Sequence, residues 1–369
     1  MKIRFWDPST GYKKIKDEVL FELDRIYSKG DLILRDDVDK FENNVTDFVG
    51  TNYAIGVNSG TMGLLLAYLA CGLKEGDEVI TVSHTYISTI SEIAHSGATP
   101  VLVDIGNDGL MDMDDVERKI TPRTKAIVPV HLEGKVCDMD RLFELQKKYN
   151  NQFVIIEDAC QAWGSEYKGK RAGSFGKIGV FSCYPAKIFG AYADAGVVVT
   201  DDEEIARELK QLRFHYYIGG GYRGGTDDIN DTRVRYGYNG AICNQEATIL
   251  NIKFKYLPEH IERRRQIAEM YLDGIKNDKI ILPYRQEGRV WQDFVIRCDK
   301  RDELASYLIE NGIEVLGHNL LPNHAYKSLF GAVLPNTEMY IATQVRIPCN
   351  PDLTDEEVDY VIEKINEFK

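Results

Sequence analysis

The stretch Tyr53–Ile105 reads YAIGVNSGTMGLLLAYLACGLKEGDEVITVSHTYISTISEIAHSGATPVLVDI, and its alternation decides the fold. YAIGV (53–57), DEVITV (77–82) and TPVLVDI (99–105) are short apolar runs of strand type. Between them, SGTMGLLLAYLACGL (59–73) and YISTISEIAHSG (86–97) read as helices, the first opening on small polar residues. Strand and helix alternating at this interval predict parallel βαβ units. The strands are nearly continuously apolar, which fits a sheet covered on both faces.

Outward from this stretch the pattern continues. DMDDVERKI (112–120) and DMDRLFELQKKYN (138–150) read as helices, and KAIVPVHL (125–132) and FVIIEDA (153–159) as strands. GVFSCY (179–184) and GVVVT (196–200) read as two more strands. Upstream, residues 14–28 and 36–49 carry helical periodicity and end at Gly30 and Gly50. Residues 215–240 are Gly-rich and polar, a long excursion of the kind that serves function. A long helix is expected over 244–274. A smaller lobe follows, with strands VWQDFVIR (290–297) and EVLGHNLL (314–321) and helices at 301–312 and 354–368. The reading is α/β: a large, doubly wound, mostly parallel sheet domain over 1–250 and a smaller α+β domain over 251–369.

Composition narrows the function. The chain has 369 residues, enough to bury a large core without disulfides. Its formal net charge of -13 argues against a general nucleic-acid binder. Seven scattered cysteines without a C-x-x-C pair read as buried thiols in a reducing cytosol. The start, MKIRFWDPSTGYKK, has no apolar signal segment, and GLLLAYLACGL (63–73) is too short to span a membrane. A soluble cytoplasmic protein is expected.

Two phosphate-binding patterns occur and neither has its context. GGGYRG (219–224) lacks a following apolar helix. GSEYKGK (164–170) is followed by Arg171 where a P-loop needs Ser or Thr. The histidines show no H-x-x-x-H pair, so no metal site is signalled.

Three segments carry chemistry. Ser59-Gly60-Thr61 lies at a strand-to-helix turn, where free amides and the helix dipole suit an anion, although a plain helix cap uses the same residues. In IIEDACQ (155–161), Glu157 and Asp158 end an apolar strand, the edge where open α/β sheets bind ligands. A carboxylate there needs a partner, either a protonated ring nitrogen or a structural cap. In GVFSCYPAKIFGAYADAGVVVT (179–200), Lys187 is the one cation and Asp194 the one acid. Such a lysine either snorkels or forms a Schiff base. Ser182 could add a hydroxyl to the anion site, and Tyr86 an aromatic face, unless it is a core tyrosine. Together these parts suit pyridoxal 5'-phosphate, which needs a phosphate cradle, an acid at its ring nitrogen and a lysine at its aldehyde.

SGTMGLLLA, GDEVITVSHTYIST, GATPVLVDI, TPRTKAIVPVHLEG, VIIEDACQAWGSEYKGKRAGSFG, FSCYPAKIFGAYADAGVVVT and YGYNG follow one another in an order that resembles the DegT/DnrJ/StrS family of nucleotide-sugar aminotransferases. The resemblance implies a fold-type-I aminotransferase, a homodimer with shared active sites, and amino transfer from glutamate to a nucleotide-linked keto sugar. It implies Lys187 as the Schiff-base lysine and proton carrier, Asp158 as the ring-nitrogen acid and Gln161 near the ring hydroxyl. Tyr86 becomes the stacking aromatic, Gly60, Thr61 and Ser182 the phosphate ligands, and Asn239 a phosphate ligand from the neighbouring subunit. Tyr184, His215, Arg223, His318 and His324 are the candidate sugar contacts. Ile188 stands where the family often has Asn, and Gly240-Ala241 where it often has an aromatic and Arg. GDLILRDDVDKFE (30–42) resembles members that act at sugar C-3, with C-4 the alternative. A lyase or dehydratase on the same scaffold and a non-catalytic regulatory homologue are the other readings.

Overall fold

The computed structural model describes residues 1–216, 235–318, 320–325 and 331–369. The amino-terminal helices are α1 (Pro8–Lys29) and α2 (Asp36–Val49). The alternating region follows as β1 (Tyr53–Val57), α3 (Gly60–Ala70), β2 (Glu78–Val82), α4 (Ser88–His95), β3 (Thr99–Val103), α5 (Met113–Lys119), β4 (Thr124–Ile127), α6 (Met139–Lys148) and β5 (Val154–Asp158). A hairpin of β6 (Glu166–Tyr167) and β7 (Lys170–Arg171) comes before β8 (Ile178–Ser182), β9 (Gly196–Thr200) and α7 (Glu203–Leu212). The remainder holds α8 (Asn244–Lys253), α9 (Leu257–Gly274), β10 (Phe294–Arg297), α10 (Arg301–Glu310), α11 (Pro335–Thr343), β11 (Gln344–Ile347) and α12 (Asp355–Glu367).

Seven strands form one sheet in the order β1-β9-β8-β5-β4-β2-β3. Within it only β9 runs against the others, pairing antiparallel with both β1 and β8. The carboxyl ends of β1, β2, β5 and β8 therefore lie along one edge. The two faces are filled by separate apolar clusters, one around Phe41, Trp163 and Phe181 and one around Tyr68, Ile156 and Val180. A third cluster joins Ile267, Phe294, Leu304 and Val361 around β10 and β11, and Ile3 from the amino terminus packs into it.

Several expectations change. The helix expected over 244–274 is two helices separated by a 3-10 turn at Phe254–Tyr256, with Pro258 in the first turn of α9. Among the described residues, the strand expected at 314–321 is reduced to a single bridge between Leu316 and Arg346, because Gly317 takes a φ of 81° and turns the chain. GSEYKGK, already refused as a P-loop, folds as the β6–β7 hairpin with no helix after it. The seven cysteines are unpaired, and Cys71, Cys160 and Cys243 are only half-buried. Among the described residues no helix is long and apolar enough to cross a membrane.

Candidate active site

The site grows from the turn between β1 and α3. Ser59 caps α3, its Oγ accepting the Met62 amide at 3.0 Å. The Gly60 and Thr61 amides, in the first turn, have no partner within the helix. Gly60 is required by contact: a Cβ there would lie 2.8 Å from Ser182 Cβ and 3.1 Å from Cys160 Sγ. The helix start is thus pressed directly onto the ends of β5 and β8.

Asp158 ends β5 and is 4% exposed. Its Oδ2 accepts from the Thr89 hydroxyl at 2.7 Å and its Oδ1 from the Cys160 amide at 3.1 Å. Thr89 spends its proton on Asp158, so Thr85, 2.7 Å away, donates to Thr89. The Thr61 and Ser88 hydroxyls are 2.8 Å apart, which ties the start of α3 to the start of α4. Tyr86, two residues before Ser88, is 70% exposed. Gln161 Oε1 accepts the Glu133 amide at 2.8 Å. Ser182 Oγ accepts the Tyr184 amide at 3.2 Å.

Lys187 is half-buried in the segment between β8 and β9 and makes no ion pair among the described residues. Burial and the Asp158 charge push the Cys160 thiol well up, and the Lys187 charge opposes them. The Lys187 ammonium therefore stands within electrostatic reach of the turn that carries Asp158. A cleft of about 490 Å³ has Lys187, Tyr192, Lys253 and His260 in its wall.

A model of the DegT/DnrJ/EryC1/StrS aminotransferase family matches residues 13–366. The chain belongs to that family. Membership makes it an aminotransferase of the pyridoxal phosphate type. It is 38% identical over 361 residues to the dTDP-3-amino-3,6-dideoxy-alpha-D-galactopyranose transaminase of Aneurinibacillus thermoaerophilus, covering 96% of each chain. It is 34% identical over 385 residues to the Pleiotropic regulatory protein of Geobacillus stearothermophilus, covering 100% of this chain and 99% of the relative. Among solved structures, DesV of S. venezuelae, in complex with a ketimine intermediate, matches with a TM-score of 0.92 and 34% identity, over 99% of this chain and 98% of that one.

The other candidate residues of the aminotransferase are scattered. Tyr184 is 52% exposed, three residues before Lys187, and its carbonyl accepts the Lys187 amide at 2.8 Å. Asn239 is exposed, and its carbonyl accepts from Asn58 at 3.0 Å beside the β1–α3 turn. His215 is exposed and takes a φ of 55°. His318 lies within electrostatic reach of Asp302 in α10. Arg223 and the GGGYRG pattern lie outside the described residues. His324 is 7% exposed, with Nδ1 2.8 Å from Ser83 Oγ and Nε2 3.1 Å from Glu338. Both ring nitrogens are engaged, and with Asn323, which donates to the Ser83 and Thr85 carbonyls, His324 braces the turn that presents Tyr86.

One helper escaped the sequence reading, and one of the two strand-end acids takes the structural part. Thr89 orients Asp158, and its only signal is a hydroxyl residue soon after a strand. Glu157 accepts from the Gly173, Phe175 and Gly176 amides at 2.6–2.7 Å and pairs with His131 at 2.9 Å. The Cys137 amide donates to His131 Nδ1, so the His131 proton sits on Nε2 and goes to Glu157. Glu157 is an anchor for the 173–176 turn.

Proposed function

We propose that this aminotransferase moves an amino group from glutamate to the C-3 keto group of a 6-deoxyhexose linked to a nucleoside diphosphate. The observation that carries the reading is the gathering of Gly60, Asp158, Cys160 and Ser182 at one sheet edge, with the Lys187 charge in reach.

The residues fit pyridoxal phosphate. A Cβ at Gly60 would fill the cradle beside Ser182, and Asp158 keeps lone pairs for a further donor. When bound, the cofactor supplies an electron sink for a carbanion at the amino-bearing carbon. The amides of Gly60 and Thr61, the dipole of α3 and the Ser182 hydroxyl hold the phosphate. Asp158, oriented by Thr89, keeps a proton on the ring nitrogen. Tyr86 covers one ring face and Gln161 holds the ring hydroxyl. The Lys187 amine would hold the aldehyde and, once released, would take up and return the proton at the amino-bearing substrate carbon. Tyr184, His215, Arg223 and His318 are the sugar contacts, and His324 acts by bracing Tyr86.

Glutamate as donor is what the family resemblance implies, and C-3 as acceptor rests on the pattern at residues 30–42 and on the relative named for a 3-amino sugar. A homodimer is part of the reading. Leu20 and Tyr27, seven residues apart on one side of α1, are 49% and 60% exposed, an apolar strip that suits a second copy, and Asn239 would reach the partner's phosphate site.

The test is keto-sugar-dependent conversion of glutamate to 2-oxoglutarate by the purified protein. Stoichiometric amino sugar and 2-oxoglutarate are expected, with the nitrogen at C-3 by NMR. Nitrogen at C-4 moves the acceptor position. Cofactor uptake without turnover on any keto sugar favours a regulatory protein, the role in the name of the Geobacillus relative.

A further inference from the structure

Lys187 lies outside the regular elements, and one side chain from the small lobe grips the chain on both sides of it. Gln292 Oε1 accepts the Ile188 amide at 2.9 Å, and Gln292 Nε2 donates to the Ala186 carbonyl at 3.2 Å. Gln292 is 8% exposed, so both bonds are sheltered from water. A carboxamide can do this because it carries an acceptor and a donor on one plane.

The backbone that aims Gln292 is strained. Trp291 has a φ of 56°, a left-handed conformation that is an outlier for a bulky side chain. Three contacts hold it there. The Arg289 guanidinium lies 3.6 Å over the indole. The buried Arg264 guanidinium donates to the carbonyls of Trp291, Gln292 and Cys349 at 3.1, 3.2 and 2.9 Å. Gly134 lets the chain approach, since a Cβ there would lie 2.8 Å from the Trp291 amide nitrogen. Such strain persists only where the surroundings over-determine it, and it concentrates at working sites.

We propose that Gln292 is the positioning residue for Lys187: its carboxamide fixes the peptide groups on either side, so the small lobe sets the direction from which the amine reaches the cofactor. The proposal deepens the aminotransferase reading and rests on it. Gln292 acts through Lys187 and needs no contact with either substrate. Leu at this position keeps the volume and loses both bonds. Glu keeps the acceptor for Ile188 and sets a carboxylate oxygen against the Ala186 carbonyl.

The experiment compares wild type, Gln292→Leu and Gln292→Glu as holoenzymes and as apoproteins. For Gln292→Leu, kcat falls about 10- to 100-fold. Both KM values stay within about threefold. The pH midpoint of the bound cofactor's visible band moves by about half a unit or more. Hydrogen exchange at the Ile188 amide rises about tenfold in the apoprotein. Gln292→Glu restores protection at Ile188 and recovers only part of kcat. The proposal is overturned if Gln292→Leu keeps the wild-type kcat and midpoint. It is equally overturned if activity falls only with the folded fraction, measured by thermal melting, while midpoint and exchange stay put. A wild-type protein with no visible band sinks the aminotransferase reading instead, and the exchange arm tells that failure apart.

Discussion

Glu157 and Asp158 are consecutive acids on one strand, yet the fold uses them in opposite ways. Alternation along β5 sends them to opposite sides of the sheet. Glu157 is sealed with four donors and ties down the 173–176 turn. Asp158 has two donors and opens onto the edge shared by Gly60 and Ser182. The comparison teaches that a carboxylate's task is set by its donor count and its side of the strand, which residue type alone does not reveal.

The sharpest break of this contrast is in stability. Glu157→Ala leaves His131 and three amides without an acceptor, and it should cost about 3–5 kcal/mol in chemical denaturation. Asp158→Asn should do the reverse. It leaves the melting temperature nearly unchanged, while kcat falls by about 10²–10³ because the neutral amide holds no proton on the ring nitrogen.

His84, buried after β2 with Nδ1 3.0 Å from the Gly109 carbonyl, adds a pH-dependent contribution to stability. Burial pushes its imidazole down to about 4. Between pH 6.5 and that value the unfolded chain binds a proton that the folded chain refuses. Stability attributable to His84 is therefore full above pH 6.5 and falls as pH drops towards 4, by about 3 kcal/mol in all. His84→Phe should flatten that part of the stability-against-pH curve. The smallest effect is expected at Gly60→Ala. The added methyl group meets Ser182 Cβ at 2.8 Å, and overpacking of this kind costs about 1–3 kcal/mol while weakening cofactor uptake, measured by spectrophotometric titration.

The sheet was legible because apolar runs punctuated by small polar turns have few other solutions. Asp158 and Lys187 stood out as charges inside apolar surroundings. Thr89 and Gln292 were silent, since a turn hydroxyl and a lone carboxamide take their meaning from partners far away in the chain. The helix α11 and strand β11 were missed for a similar reason. PNTEMYIAT (335–343) has a weak apolar face, and Asp104, just after β3, caps its start through the Asn336 and Thr337 amides. Gly317 shows the converse: an apolar run reads as a strand until one left-handed residue turns it.

The most direct measurement is borohydride reduction of the protein saturated with pyridoxal phosphate, followed by peptide mass mapping. The account predicts one stoichiometric pyridoxyl group on Lys187 and none when Asp158, Tyr86 and the other lysines are intact but Lys187 is Ala. Labelling of a different lysine, or of Lys187→Ala to the wild-type extent, would contradict it.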